Sequence, residues 1–254
     1  MTRTAILLAG QRPGTDPLAA HFGQSIKALV PIAGEPMVRR PARALAESGS
    51  VGDIIVMAQQ TEPIVAALKG IAKVAVRKSR GSIAETLLVL CDDAATPWPL
   101  LVTTADHALL TPAMIDRFAA AAEGADIAIG VVERGKLERR LPGAKRTWLS
   151  FRGEQVTGAN LFALASPEAA RAIRLWRSVE QDRKSAWRML ALLGPVMLPM
   201  ALLRLLSLDD VLARLSLKLG VALRAVRLDD PLAGVDVDKL ADHALVEAII
   251  AGRA

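Results

Sequence analysis

Three short segments of the chain carry residue types able to handle a polyphosphate. The first runs from Gly10 to Lys27, where Gly10, Arg12, Gly14 and Lys27 follow a brief apolar run. Such a loop offers backbone N–H groups and two cations to phosphate oxygens. It is not a Walker A loop, since no Gly-Lys-Ser/Thr occurs there, and it is not Gly-x-Gly-x-x-Gly. A Gly/Pro-rich surface turn would have the same composition. The second segment is Asp106-His107, directly after the apolar run Leu100 to Thr104. A carboxylate at the C-terminal end of a strand lies in the crevice where open α/β sheets bind ligands. One or two carboxylates plus phosphate oxygens suit Mg²⁺, although a turn or helix-capping Asp would look alike. The third is Gly234-Val235-Asp236-Val237-Asp238. If extended, alternation puts Asp236 and Asp238 on one side, where they could join Asp106 around one metal ion. Taken alone, a solvated acidic turn explains that segment.

Placing these groups requires strands that end at them, and the hydrophobic pattern supplies them. Ala5–Ala9, Asp53–Met57, Val74–Val76, Leu100–Thr104 and Asp126–Val132 read as strands. Between them Met37–Glu47, Thr61–Lys69, Ser82–Leu90 and Pro112–Ala122 read as helices. This alternation implies βαβ units, hence a three-layer α/β/α fold with a mostly parallel central sheet. After Val132 the rhythm breaks. Glu133–Arg146 is charged and turn-prone, Trp148–Phe151, Gln155-Val156 and Asn160–Leu164 read as strands, and Pro167–Leu193 and Asp209–Leu219 read as helices. A late strand at Val221–Leu228 and a closing helix at Asp242–Ala251 return to the first pattern. No repeat, low-complexity stretch or linker divides the chain. It is expected to be a single domain over 1–254, with a β-rich and helical insertion over 133–220.

Several of these segments together resemble a known family. Ile6-Leu7-Leu8-Ala9-Gly10, Arg12 and the run Lys27-Ala28-Leu29-Val30-Pro31-Ile32-Ala33-Gly34-Glu35-Pro36-Met37 are similar to the signature of the NTP transferases. These are nucleotidyltransferases with a glycosyltransferase-A-like, Rossmann-type fold, among them sugar-phosphate nucleotidyltransferases and molybdenum-cofactor guanylyltransferase-like proteins. Ala105-Asp106-His107 followed by Leu109-Leu110-Thr111-Pro112, the segment Gly158-Ala159-Asn160, and Gly234–Asp238 with Asp242 resemble its later motifs in the required order. The resemblance implies a nucleotide-diphospho-sugar-transferase-like fold and Mg²⁺-dependent transfer of an NMP from an NTP to a small phosphorylated acceptor, with release of pyrophosphate. It implies nucleotide contacts from Leu8, Ala9, Gly10, Gln11, Arg12, Lys27, Gly81 and Ser82, with CTP or GTP favoured. Arg12, Lys27 and Asp106 are the implied catalytic residues. Asp106 with Asp236 or Asp238 would hold the metal, and Asn160, Lys145 and Arg146 would face the acceptor. Two departures stand out: Gln11 occupies a usual Gly position, and no Pro lies two residues after Asp106. The first motivates an alternative, a non-catalytic nucleotide-sensing protein on the same fold. A nucleotide-sugar-using glycosyltransferase ranks last, because no Asp-x-Asp follows a central strand.

Composition narrows the rest. The 254 residues carry a formal net charge of +6, with 52% hydrophobic and only 3% aromatic residues and no Tyr. Few aromatics argue against a base-stacking nucleic-acid binder, so the basic surplus points to small phosphates. Cys91 is the single cysteine, which excludes a disulfide framework and a cysteine zinc site. It reads as core, and His21 and His243 read as structural or surface residues. His107 is not needed as a general base, because an acceptor phosphate is already a nucleophile. The N-terminal apolar run is too short for a signal peptide or membrane span, so a cytoplasmic protein is expected. The mean hydropathy of +0.32 is concentrated at 189–203. Flanked by cations, the 189–204 stretch fits either a peripheral contact with the inner face of the membrane or an acceptor-site cap or homodimer interface.

Overall fold

The computed structural model of the protein describes residues 2–11, 14–79, 81–181, 200 and 203–254. In chain order the strands are β1 (Arg3–Leu8), β2 (Pro31–Ile32), β3 (Glu35–Pro36), β4 (Val51–Ala58), β5 (Val74–Lys78), β6 (Leu100–Thr104), β7 (Ile127–Glu133), β8 (Leu149–Phe151), β9 (Glu154–Leu164) and β10 (Leu223–Arg227). The helices are α1 (Pro17–His21), α2 (Arg39–Glu47), α3 (Thr61–Ala67), α4 (Ile83–Asp92), α5 (Pro112–Ala121), α6 (Arg134–Arg140), α7 (Ala170–Gln181), α8 (Leu208–Leu219) and α9 (Leu240–Ile250). The main sheet has the order β10-β7-β9-β6-β1-β4-β5, with β8 paired to β9. Its neighbours are parallel except around β9, which is antiparallel to both β6 and β7.

Side-chain alternation in β1 explains the three layers. Ala5 and Leu7 face a core shared with α2, α5 and α9, while Ile6 and Leu8 face one shared with α4 and α7. A strand covered on both faces has no polar side, which is why β1, β4 and β6 read as continuous apolar runs. The mostly parallel sheet with helices on both sides is therefore the one expected. Register matters as much as order. Leu8 stands opposite both Met57 of β4 and Thr104 of β6, so the loops after these three strands leave from one level edge.

The region after β7 differs locally from the sequence reading. Residues 134–140, read as charged and turn-prone, form α6, whose only fully covered side chain is Leu137. One anchored residue gives no hydrophobic period to detect. The two short strands expected at 155–156 and 160–164 are one strand, β9, lying inside the main sheet. A bulge interrupts its pairing with β7: Ile129 faces Phe162 and Val131 faces Gly158, leaving Gly130 opposite three residues. Asn160 sits in this bulge at φ 47, a left-handed conformation that Asn tolerates better than most residues. Gly130 makes the space, since a Cβ there would lie 3.1 Å from the Leu161 carbonyl oxygen and 3.4 Å from the Ala159 Cβ. Gly130→Ala is therefore expected to destabilise the fold by about 1–3 kcal/mol, read as a lower midpoint in urea. A midpoint equal to that of the parent would show that the bulge yields freely.

The helix expected over 167–193 is present as α7 to Gln181, and its continuation lies outside the described residues. The apolar run of 189–203 lies outside them as well, apart from residues 200 and 203. Among the described residues no helix is long and apolar enough to cross a membrane.

Candidate active site

The level edge of β1, β4 and β6 gathers residues far apart in sequence. Asp106 lies two residues beyond β6, and the Thr104 hydroxyl donates to its Oδ1 at 2.5 Å. Its backbone carbonyl accepts the Val237 N–H at 3.1 Å, which ties the 235–238 segment to the same turn. Lys27 arrives from the opposite side on a short 3₁₀ turn, residues 27–29, between the first loop and the β2-β3 hairpin. Its Nζ donates to Asp106 Oδ2 at 2.8 Å and to Asp238 Oδ1 at 2.5 Å. Burial by itself would lower the Lys27 pKa. The charges and hydrogen bonds of Asp106 and Asp238 override it and raise the value, so Lys27 is an ammonium at any working pH.

Asp236 is committed elsewhere. Arg146 Nη1 donates to Asp236 Oδ1 at 2.8 Å and stands 3.4 Å from Asp242 Oδ1, while Asn160 Nδ2 donates to Asp236 Oδ2 at 3.3 Å. Burial raises the Asp236 carboxyl pKa first, and the charges of Asp238 and Asp106 add to it against the pull of Arg146. So the three carboxylates are near enough to feel one another but do not converge on one point. Residues 235–238 pair with no strand, yet burial still alternates along them: Val235 and Val237 are buried while Asp236 and Asp238 face outward. Among the described residues no group of three or more His, Cys, Asp or Glu side chains is arranged to hold a metal ion. Asp106 and Asp238 remain an oxygen-only pair facing one shared cation, a donor set that fits Mg²⁺ with phosphate oxygens and water completing its shell.

The two cations expected to face an acceptor, Lys145 and Arg146, separate. Lys145 is exposed, whereas the Arg146 side chain is only 8% exposed and serves Asp236 and Asp242. Arg146 is thus a strut under the acidic segment rather than a free cation beside it. Arg146→Met is expected to lower stability by about 2 kcal/mol, less than for a fully buried pair because Asp236 still meets solvent. The double variant Arg146→Met/Asp236→Asn should recover part of that loss in thermal melts, since Asp242 is then the one carboxylate left without its arginine.

The first loop is more fully bonded than its composition suggested. The Leu8 carbonyl accepts from Ala105 and the Ala9 N–H donates to Met57, continuing the ladder past β1. The Gln11 N–H donates to Gln59 Oε1 at 3.0 Å. Those backbone groups of Leu8, Ala9 and Gln11 therefore already have partners. Arg12 lies outside the described residues. Gly81 and Ser82 open α4: the Ser82 N–H donates to Glu85 Oε2 and its hydroxyl accepts from the Glu85 N–H, a reciprocal cap. Gly81 has φ 74, and a Cβ there would collide with the Glu85 carboxylate. Since the Ser79 N–H donates to the Ala58 carbonyl, this turn leaves the same sheet edge as Gln59.

His107 is 1% exposed, and burial holds its pKa down at about 4 against the nearby charge of Asp106. Neutral and enclosed, it packs beneath the acidic turn and has no access to a substrate. His243 Nε2 donates to the Pro31 carbonyl oxygen at 2.8 Å and its ring packs at a tilt on Phe22, bracing the β2-β3 hairpin from α9. Cys91 is buried, which pushes its thiol pKa up to about 11 and leaves it an unreactive core residue. Two site residues escaped the sequence reading. Gln59 is the first residue beyond β4, and Thr104 is the last of β6. Asking which polar residue stands at the carboxyl end of each parallel strand would have singled out both.

Comparison with known proteins places this geometry. Residues 5–197 match the model of the MobA-like NTP transferase domain. A hypothetical transferase from Thermus thermophilus is 31% identical, with a TM-score of 0.78 over 96% of this chain and 100% of that one. A nucleotidyl transferase from Methanothermobacter thermautotrophicus is 20% identical, with a TM-score of 0.56 over 100% of this chain and 99% of that one. A CMP:2-keto-3-deoxy-manno-octonic acid synthetase solved with CTP is 13% identical, with a TM-score of 0.59 over 100% of both chains. These last two likenesses are of fold alone. No curated protein matches the sequence significantly. A domain match over most of the chain, carried on a sheet whose level edge joins Lys27 to Asp106, places the protein in the MobA-like NTP transferase family.

Proposed function

We propose that the protein is a nucleotidyltransferase that moves an NMP from an NTP to a small phosphorylated acceptor and releases pyrophosphate. The observation that carries this reading is the Lys27 ammonium set between Asp106 and Asp238 at the carboxyl edge of the sheet. An oxygen of the acceptor phosphate attacks the α-phosphorus of the NTP, the bond from that phosphorus to the bridging oxygen breaks, and pyrophosphate leaves with the electron pair. No protein nucleophile is required, so the protein's task is positioning and charge neutralisation. Lys27 turns from the two carboxylates toward the phosphate oxygens and neutralises charge there. Asp106 and Asp238 would hold a Mg²⁺ ion, which when bound supplies electrostatic stabilisation of the transferred phosphoryl group. Asn160 and the Arg146-braced Asp236 stand beside that pair on the β9 side, where the acceptor is proposed to sit. Arg12 and the loop from Gly10 onward are proposed to hold the β- and γ-phosphates. Gly81 and Ser82, at the same edge near Gln59, are proposed to meet the base or ribose.

The test is a screen of the four NTPs with Mg²⁺ against sugar-, polyol- and cofactor-phosphate pools, reading pyrophosphate. CTP comes first because a protein of this fold was solved with it. Acceptor-dependent pyrophosphate release is expected. Nucleotide binding without release across the whole panel would instead favour a nucleotide sensor.

A further inference from the structure

The position where the resemblance breaks, Gln11, is the centre of a hydrogen-bonded relay. The Gln59 carboxamide grips the Gln11 peptide on both sides: its Oε1 accepts the Gln11 N–H at 3.0 Å, and its Nε2 donates to the Gln11 carbonyl at 3.2 Å. This is the pairing a further strand residue would make, so Gln59 extends the β1-β4 ladder one step beyond its backbone. Gly10 makes room for it. A Cβ at Gly10 would sit 2.9 Å from Gln59 Nε2 and 3.0 Å from its Oε1. The Gln11 side chain then reaches across the loop, donating from Nε2 to the Ser25 carbonyl at 3.3 Å and accepting the Lys27 N–H at Oε1 at 3.1 Å. Lys27 opens a 3₁₀ turn whose N-cap, Ile26, offers no capping side chain. Its N–H is one of the orphan donors at such a start, and Gln11 satisfies it from 16 residues away.

We propose that Gln59 and Gln11 form one positioning relay that fixes the backbone of Lys27, and through it the site of its ammonium between Asp106 and Asp238. Glycine at position 11 could not make this connection, since it has no side chain to cross the loop. The inference rests on the nucleotidyl-transfer reading for the value of Lys27 in turnover, but the relay itself can be tested without turnover. Gln59 touches no reacting group in this scheme. It acts through Gln11, and Gln11 acts through Lys27.

The experiment compares Gln11→Ala, Gln59→Ala and the double variant in the full chain. Gln11→Ala is expected to lower kcat by about 10–100-fold with KM for the NTP within about 3-fold, the mark of a displaced group rather than lost binding. In the Gln11→Ala background, Gln59→Ala should cost nothing further, because the path it supports is already cut. Gln11→Glu keeps an acceptor for the Lys27 N–H and should restore part of the kcat, and it carries the test if Gln11→Ala fails to fold. The reading independent of turnover is acylation of Lys27 by a limiting amine-reactive ester, followed by peptide mass spectrometry. Lys27 should label severalfold faster in Gln11→Ala and Gln59→Ala, with Lys69 and Lys145 unchanged. Unchanged Lys27 labelling, or a Gln59→Ala penalty as large without Gln11 as with it, would overturn the relay. If even the unaltered protein releases no pyrophosphate while Lys27 labelling responds as described, the relay stands and the transferase reading falls.

Discussion

Asp106→Ala is expected to reduce pyrophosphate release by about 10³-fold or more, equivalent to about 4 kcal/mol of transition-state stabilisation. Three roles end together in this variant. The carboxylate accepts from Lys27 Nζ and from the Thr104 hydroxyl, and in the proposed mechanism it supplies half of the oxygen pair for Mg²⁺. Its backbone carbonyl, which receives the Val237 N–H, is untouched by the substitution, so the acidic segment should stay docked. The expected pattern is therefore near-normal melting with turnover almost gone. Steady-state pyrophosphate release alongside circular dichroism melts distinguishes this from collapse. Turnover within a factor of about 3 of the parent would remove Asp106 from the chemistry.

Lys27→Met should move two measurements in opposite directions. Turnover is expected to fall by about 10²–10³-fold, because the charge on the phosphate oxygens loses its ammonium partner. Affinity for Mn²⁺ in the absence of nucleotide is expected to rise, by about tenfold, because the ammonium and a divalent ion draw on the same two carboxylates. Water-proton relaxation enhancement by Mn²⁺ reads the second effect without any substrate. A variant that loses turnover and binds Mn²⁺ no better than the parent would show that the metal is held somewhere other than Asp106 and Asp238. Lys27→Arg should not rescue turnover fully, since a planar guanidinium cannot reproduce the point contact with both carboxylates.

Legibility in the sequence followed burial. β6 was readable to the residue, Leu100–Thr104, because a central strand covered on both faces leaves an unbroken apolar run with sharp ends. α6 was not readable, because Leu137 alone anchors it. β9 reads as two strands because Thr157 and Gly158 interrupt the apolar pattern next to the bulge. At the site, single residues could be nominated from their types, and Lys27 and Asp106 do come together. Their partners could not be chosen. Whether Asp236 or Asp238 met Lys27 depended on the irregular path of residues 235–238, and the commitment of Arg146 to Asp236 depended on a loop brought back across 90 positions. The hydrogen bonds of Gln59 depended on the strand register, which no local pattern encodes.

The contact between Lys27 and Asp238 spans 211 positions, and α9 reaches back over similar distances to Ala33 and Pro31. During synthesis, β1, β4, β5 and β6 can emerge and pair while the second carboxylate of the pair does not yet exist. A nascent chain therefore can build the parallel half of the sheet before Lys27 has both of its carboxylate partners. The Lys27–Asp106 half of the pair thus joins residues 79 positions apart, whereas its second carboxylate waits on a segment more than a hundred positions further along.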